Sequence, residues 1–256
     1  MDENKQTVDY ELNGDIALIF LNRPNRLNAV VPELIEELNQ SLKQAENDNV
    51  KAIILSGRGR AFCAGHDLKA DTKFETEAEL RNHLQRLQDV TRKIRKATCP
   101  VIAAVHGYAL GAGCEFALCC DLIIADNNTE FGFPEVSVGL SVTGGISHLL
   151  PMTVGLTKAK ELLLLGERFT AKEAKVLGLI NFVVDSGELE EAAMKLAIRL
   201  SNLPQVSLSK AKFVLNHGSQ STIESAYELE VEHVLSTTFS DEAEKAAEKF
   251  KLRKKN

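Results

Sequence analysis

The stretches Ala61-Phe-Cys-Ala-Gly-His-Asp-Leu68 and Gly107-Tyr-Ala-Leu-Gly-Ala-Gly-Cys-Glu115 are built on one plan. Each follows a short apolar run, at 50–56 and at 100–105, and each places glycine and other small residues just beyond that run. Apolar runs of this length bounded by glycine are typical of buried β-strands. Small residues let the backbone of each turn approach a neighbour closely. Strands that alternate with helical patterns predict an α/β fold.

The remainder of the chain continues this alternation. The runs 8–12 and 16–21 flank Asn13-Gly14, which predicts a β-hairpin. A further buried strand is predicted at 121–125. Helices are predicted from Pro32, over 78–96, from about Ala112, from Thr170 with a capping box to Glu173, and from Glu188 onward with breaks at Pro204 and Gly218. We therefore divide the chain into a core, residues 1–204, and a C-terminal helical region, residues 205–256.

Composition narrows the possible functions. The 256 residues carry a formal net charge of -6, which argues against a nucleic-acid partner. No apolar run approaches the roughly 20 residues that cross a bilayer, and the polar start of the chain has no signal-peptide pattern. The cysteines are five in number and lie in apolar segments, so we expect buried free thiols and a cytoplasmic protein. Three of them, Cys114, Cys119 and Cys120, are spaced so that they face different ways on a helix, and no histidine is nearby, so no metal site is predicted.

The two glycine turns could hold an oxyanion. The N–H of His66 follows Ala64-Gly65, and the N–H of Ala112 lies where a helix begins, at the positive end of its dipole. Preorganised donors of this kind can each stabilise a developing negative charge by about 3–4 kcal/mol. Taken singly, either turn is better explained by glycines that only permit a tight bend.

Two glutamates accompany these turns. Glu115 lies one turn into the predicted helix, and Glu135 follows Pro134 in a loop. Two carboxyl groups on either side of one water can supply a base and an acid, provided that burial raises their pKa values. The alternatives are a helix-start carboxylate stabilised by the dipole for Glu115, and an exposed loop charge for Glu135.

Taken together, the motifs resemble the enoyl-CoA hydratase/isomerase (crotonase) superfamily over nearly the whole chain, most strongly from about Leu21 to Val184. The stretches Phe131-Gly-Phe-Pro-Glu135 and Asn22-Arg-Pro-Asn-Arg-Leu-Asn-Ala29 extend the resemblance. It implies a spiral of repeated β-β-α turns with a C-terminal helical region. It also implies that Glu115 and Glu135 are catalytic and that the backbone N–H groups of His66 and Ala112 form the oxyanion hole.

The resemblance also implies a cleft for a coenzyme A thioester. The substrate and CoA contacts that it implies are Arg26, Leu27, Ala64, His66, Asp67, Leu68, Lys69 and Ala112. A basic residue of a neighbouring subunit, Lys254 or Lys255, would meet the CoA phosphates. No metal, flavin or nicotinamide is implied, since CoA is part of the substrate. The family is typically a homotrimer or a dimer of trimers, and the helices from about Gln205 would form those contacts.

The reaction implied is the reversible syn addition of water to a trans-2-enoyl-CoA, giving a 3-hydroxyacyl-CoA. The same scaffold shifts double bonds in 3,2-enoyl-CoA isomerases, and a chain that kept the cleft without turnover would be an acyl-CoA-binding scaffold. Two departures from the hydratases leave these alternatives open. His66 replaces a small residue, as a bystander or as a sign of altered substrate preference, and Phe133 replaces a polar neighbour of Glu135. The acyl chain length and the pathway, fatty acid oxidation or another, stay open, although the loop 70–76 is expected to shape the pocket.

Overall fold

The computed structural model describes residues 6–70 and 73–253. The strands in these residues are β1 (Val8–Asn13), β2 (Ile16–Leu21), β3 (Ala52–Gly57), β4 (Val101–Val105), β5 (Tyr108–Leu110), β6 (Leu122–Asp126), β7 (Glu130–Gly132), β8 (Arg168–Thr170) and β9 (Phe182–Val184). The helices are α1 (Pro32–Asn47), α2 (Glu77–Lys96), α3 (Ala112–Cys119), α4 (Ile146–Val154), α5 (Leu156–Leu165), α6 (Ala171–Val176), α7 (Leu189–Ser201), α8 (Gln205–Gly218), α9 (Ile223–Thr238) and α10 (Asp241–Arg253). Short 3₁₀ helices span Pro24–Arg26 and Pro134–Val138. None of these helices is long and apolar enough to cross a membrane.

The strands form two sheets. In the larger sheet the order is β1-β2-β3-β4-β6-β9, with β1 antiparallel to β2 and the other pairs parallel. In the smaller sheet β7 lies between β5, which is parallel to it, and β8, which is antiparallel. The predicted α/β class is therefore confirmed, with parallel strands joined through helices.

The N-terminal hairpin is present, but its turn lies one residue later than predicted. Asn13 pairs with Ile16 as the last rung of the ladder, so the connecting residues are Gly14 and Asp15. Gly14 takes a φ of +59°, a conformation that glycine adopts without steric cost. Asn-Gly indicated the hairpin correctly, while the register was decided by the pairing of the flanking apolar residues.

Both faces of the larger sheet are covered, because successive strand residues point to opposite sides. In β3, Ile53 and Leu55 join the main core, to which the apolar faces of α1 and α2 also belong. Ile54 points the other way and joins a smaller cluster with Leu189 and Ala193 of α7. Strands buried on both faces read as continuous apolar runs, which explains the pattern from 50 to 56.

The C-terminal region is fixed to the core through α8. The Nζ atom of Lys212 donates hydrogen bonds to the carbonyl oxygens of Ile94 at 2.9 Å and Cys99 at 3.1 Å, and it lies 2.7 Å from Asp121 Oδ2. Pro204 separates α7 from α8 and α8 ends at Gly218, as the sequence predicted. Several apolar side chains of α8 and α9 are exposed, among them Leu215, Ile223, Tyr227, Val231 and Val234. Lys254 and Lys255 lie outside the described residues, as do residues 71 and 72 of the loop 70–76.

Candidate active site

The two glycine turns lie against each other, as the β-β-α spiral implied by the family resemblance requires. Cys63 pairs with Ala109 of β5: its N–H donates to the carbonyl of Tyr108 at 2.9 Å, and its own carbonyl accepts from the N–H of Leu110 at 2.9 Å. Gly65 adopts a φ of +88°, and a Cβ atom at that position would lie 2.9 Å from the carbonyl oxygen of Leu110. Glycine is therefore required here both by the backbone conformation and by the close approach of the second turn.

Each turn carries a backbone N–H group that has no acceptor among residues 6–70 and 73–253. Val30 bonds to the residues on either side of His66, accepting from Asp67 and donating to Gly65, so the His66 N–H is left out of that ladder. Ala112 is the first residue of α3, and the helical hydrogen bonds begin with Glu115 N–H to Gly111. Neither N–H donates to any residue in the described parts of the chain. Unpaired donors are the property that an oxyanion site needs.

Glu115 projects from the first turn of α3 and is only 1% exposed. Thr143 holds both of its oxygens. The Thr143 N–H donates to Oε1 at 2.6 Å, and the Thr143 hydroxyl donates to Oε2 at 2.6 Å. Burial raises the pKa of Glu115, while the two Thr143 hydrogen bonds act to lower it. Both oxygens of this carboxyl group are therefore held in place as acceptors by a single residue.

Glu135 lies in the 3₁₀ helix that follows β7 and is 7% exposed, so the alternative of an exposed loop charge is wrong. Its Oε2 atom is buried and accepts no hydrogen bond from the described residues. Burial, with a smaller contribution from the negative charge of Glu115, raises the pKa of Glu135 to about 7. The protonated form of this group is therefore well populated at neutral pH.

The glycine turns and the carboxyl groups meet at Gly111. A Cβ atom on this residue, whose φ is +53°, would lie 3.1 Å from Glu135 Oε1 and 3.6 Å from the Cα atom of Gly65. Because Ala112 follows directly and Glu115 lies one helical turn later, the fold brings both N–H donors and both glutamates into one region. The arrangement combines two donors for a developing negative charge with one clamped carboxyl group and one protonatable carboxyl group.

Phe133 and His66, the two departures noted in the sequence, are both placed by the structure. Phe133 is fully buried in the main core, which leaves Glu135 without a polar side chain at that position. The His66 ring is partly buried, 6.3 Å from the ring of His83 on α2, which in turn lies 4.8 Å from Phe74. Burial, and then the neighbouring His83, lower the pKa of His66, so its imidazole is neutral at pH 7.

Hydrogen bonds connect several of the residues predicted to contact CoA to the first glycine turn. The Ala64 N–H donates to the carbonyl of Leu27 at 3.0 Å, which joins the Asn22–Ala29 motif to the first glycine turn. Arg26, Leu68 and Lys69 are exposed. Asp67 is instead paired with Arg23, whose Nη2 lies 2.9 Å from Oδ2. Burial acts against the charge of Asp67, but the Arg23 hydrogen bond and charge outweigh it and keep the pKa of Asp67 below its usual range.

Sequence reasoning missed three residues that shape the site: Arg23, Asn28 and Thr143. Asn28 is fully buried with a φ of +55°, and its Nδ2 atom donates to the carbonyls of Ala61 at 2.7 Å and Arg58 at 2.9 Å. Asparagine in a left-handed conformation marks a tight, hydrogen-bonded bend. The Asn22–Ala29 motif contains Asn28, but the motif does not show that Asn28 bonds to Ala61, 33 residues away.

Glu135→Gln should stabilise the protein at alkaline pH. A carboxyl group with a folded-state pKa of about 7 binds its proton more tightly when folded, so its contribution to stability is complete below the unfolded value of about 4.3 and is lost as pH rises through 7. Glutamine never ionises. With one pKa unit equal to about 1.4 kcal/mol and allowing for solvent screening, the stability advantage of the variant should grow by about 2 kcal/mol between pH 5 and pH 8.

Denaturant unfolding at the two pH values measures this difference. Glu228→Gln, at an exposed glutamate of α9, is the matched control and should show no such change with pH. An advantage of Glu135→Gln that is the same at pH 5 and pH 8 would contradict the assigned protonation of Glu135.

Solved structures share this architecture of stacked turns. An enoyl-CoA hydratase from Bacillus anthracis superposes with a TM-score of 0.92 at 31% sequence identity, over 97% of each chain. The class of protein is thereby defined as the crotonase fold, with its β-β-α spiral and C-terminal helical region.

The chain belongs to the enoyl-CoA hydratase/isomerase family, whose sequence model matches residues 11–256. It is 36% identical to a short-chain-enoyl-CoA hydratase of Clostridium acetobutylicum over 239 residues, which cover 93% of this chain and 91% of that protein. It is 35% identical to the mitochondrial enoyl-CoA hydratase of Pongo abelii over 244 residues, 95% of this chain and 83% of that protein. The resemblance seen in the motifs is confirmed.

Proposed function

We propose that this protein is an enoyl-CoA hydratase, a hydro-lyase that adds water reversibly and with syn geometry to trans-2-enoyl-CoA, giving 3-hydroxyacyl-CoA. The observation that carries the proposal is a pair of buried carboxyl groups beside two N–H groups that have no acceptor in the described residues. Thr143 holds both oxygens of one carboxyl group, whereas Oε2 of the other accepts no hydrogen bond from the described residues and that group is protonatable near pH 7. The names of the relatives support the same activity.

The proposed mechanism uses the N–H groups of His66 and Ala112 to bind the thioester oxygen. Glu115 takes a proton from a water molecule, whose oxygen bonds to C3 of the enoyl group. The double-bond electrons move toward C2, negative charge collects on the thioester oxygen as an enolate, and the two N–H donors stabilise it. Glu135 then delivers its proton to C2. The product thus carries the hydroxyl group on C3 and the new proton on C2. A proton exchange between the two carboxyl groups, or with solvent, restores the resting state.

Hydration is favoured over a double-bond shift because the site holds two carboxyl groups with different hydrogen-bonding environments. An isomerase needs one carboxyl group that carries a proton from one carbon to another. A second buried glutamate, held on both oxygens by a dedicated partner, has no task in that reaction. Burying such a charge is costly, and its presence is best explained by a base that must be kept ionised.

The remaining features of the proposal follow from the substrate. The thioester itself stabilises the enolate, so the reaction requires no metal, flavin or nicotinamide. We assign CoA binding to the predicted contacts around Leu27 and Ala64. The exposed apolar side chains of α8 and α9 support a homotrimer or a dimer of trimers assembled through these helices. The five free, buried cysteines support a reducing compartment such as the cytoplasm.

Loss of the conjugated absorbance of crotonyl-CoA on adding purified protein tests the proposal. We expect rapid loss and formation of 3-hydroxybutyryl-CoA. A protein that binds crotonyl-CoA and longer enoyl-CoA thioesters but leaves the absorbance unchanged would contradict a hydratase, and activity on 3-enoyl-CoA substrates would then identify an isomerase.

A further inference from the structure

The loop before α4 presents Thr143 to Glu115 in a fixed conformation. The Thr143 carbonyl accepts from the Ile146 N–H at 3.0 Å, which ties the loop to the start of α4. The next residue, Gly144, leaves no free space, because a Cβ atom there would lie 3.1 Å from Glu115 Cβ and 3.3 Å from Cγ2 of Thr91 on α2. The loop next to Thr143 is therefore packed closely against both Glu115 and α2.

The contact is bidentate and comes from one residue. Both Thr143 donors lie 2.6 Å from their acceptors, one on each oxygen of the carboxylate. An ionised carboxylate has about four lone-pair positions, so two remain for a water molecule. Glu135 has no equivalent, since its buried Oε2 accepts nothing from the described residues. The main difference in hydrogen bonding between the two glutamates is thus the contact of Glu115 with Thr143.

No cation offsets the charge of Glu115 within the described chain, where it forms no ion pair. The titratable groups that face it are Glu135 from the 3₁₀ helix, Cys63 from the first turn, and Cys114 and Cys119 from α3. All of these are neutral or negative, and none favours an ionised Glu115. The Thr143 donors are the groups that do.

We infer that Thr143 is a positioning residue that assigns opposite protonation states to the two glutamates: its hydroxyl and N–H keep Glu115 ionised as the base and leave the acidic proton on Glu135. This inference rests on the proposed hydratase function. The hydrogen bond from the Thr143 N–H to Glu115 would be enough to order the loop. The inference therefore assigns the Thr143 hydroxyl a role in the reaction itself. Thr143 acts through Glu115 and needs no contact with the substrate.

The pH dependence of kcat/KM for crotonyl-CoA, measured for the wild type, Thr143→Val and Thr143→Ser, tests this role. Glu115 must be ionised and Glu135 protonated, so the wild-type profile should be a bell whose acid limb belongs to Glu115. Thr143→Val keeps the shape and the N–H but removes the hydroxyl. A hydrogen bond to a charged group is worth about one pKa unit or more, so the acid limb should move up by about one unit, with a loss of about 10-fold at acidic pH.

The comparison among variants separates positioning from loop order. Thr143→Ser, which restores the hydroxyl, should return the acid limb to the wild-type position. Thr143→Ala should shift the limb as valine does, which keeps the test available if valine disturbs folding. Thr153→Val removes a threonine hydroxyl that bonds within α4, to Leu149, and should leave the profile unchanged.

Two results would overturn the inference. A Thr143→Val enzyme with an unchanged profile, or one whose kcat falls equally at every pH without rescue by serine, would remove Thr143 from this role while the hydratase function stood. A wild-type protein with no hydration activity at any pH would overturn the proposed function itself, and the inference with it.

Discussion

Ala112→Pro should lower kcat for crotonyl-CoA by about 100- to 1000-fold, because it removes one donor of the proposed oxyanion hole. Proline is well suited to the first position of a helix, where the N–H makes no helical hydrogen bond and a φ near −65° is already required. The preceding Gly111, with a φ of +53°, has no Cβ atom to clash with the proline ring. The substitution therefore deletes a single N–H from α3 with little change to the helix.

A second helix provides the matched control. Leu156 is the first residue of α5, also follows a glycine, and is 60% exposed. Leu156→Pro should therefore retain wild-type turnover. If Ala112→Pro kept more than about a third of the wild-type kcat while the enzyme remained folded, the N–H of Ala112 would have no part in stabilising the enolate.

Glu115→Gln and Glu135→Gln should each lower kcat by about 100-fold or more. Glutamine is close in shape to glutamate but neither accepts a proton from water nor delivers one to C2. Because the two groups act as a unit in the same addition, the double variant should be scarcely worse than either single variant. Steady-state kinetics on crotonyl-CoA, with thioester binding measured separately, distinguishes lost chemistry from lost affinity.

The pattern of the two losses discriminates between reactions. Full activity of Glu115→Gln beside an inactive Glu135→Gln would favour an isomerase that uses one glutamate. A loss of less than a few-fold in Glu135→Gln would remove that residue from the role of acid.

The two glycine turns could be predicted because their information is local, whereas their stacking followed only from the family resemblance. Glycine and alanine after each buried strand required close approach, and the resemblance gave the spiral that brings Gly65 and Gly111 together. The C-terminal helices and their breaks were equally local, since Pro204 and Gly218 interrupt an otherwise continuous pattern. The hairpin turn was misplaced by one residue because register depends on both strands, whereas Asn-Gly reports on one position.

The electrostatics of the site could not be read in the same way. Glu135 follows a proline in a short loop, which in sequence resembles an exposed position, but the fold buries it beside Gly111 of the second glycine turn. Thr143 lies 28 residues from Glu115, and Arg23 lies 44 residues from Asp67. Such partners are selected by the fold, so the sequence predicts which residues carry charge but not which groups determine their pKa values.

The most direct test of the account is the hydration of crotonyl-CoA in D₂O, followed by proton NMR of the product. Addition of water by the proposed route predicts 3-hydroxybutyryl-CoA with one deuterium on C2, on the same face as the new hydroxyl group, and no deuterium on C4. Deuterium on C4, or recovery of crotonyl-CoA without water at C3, would contradict the account and show that the two glutamates serve another reaction.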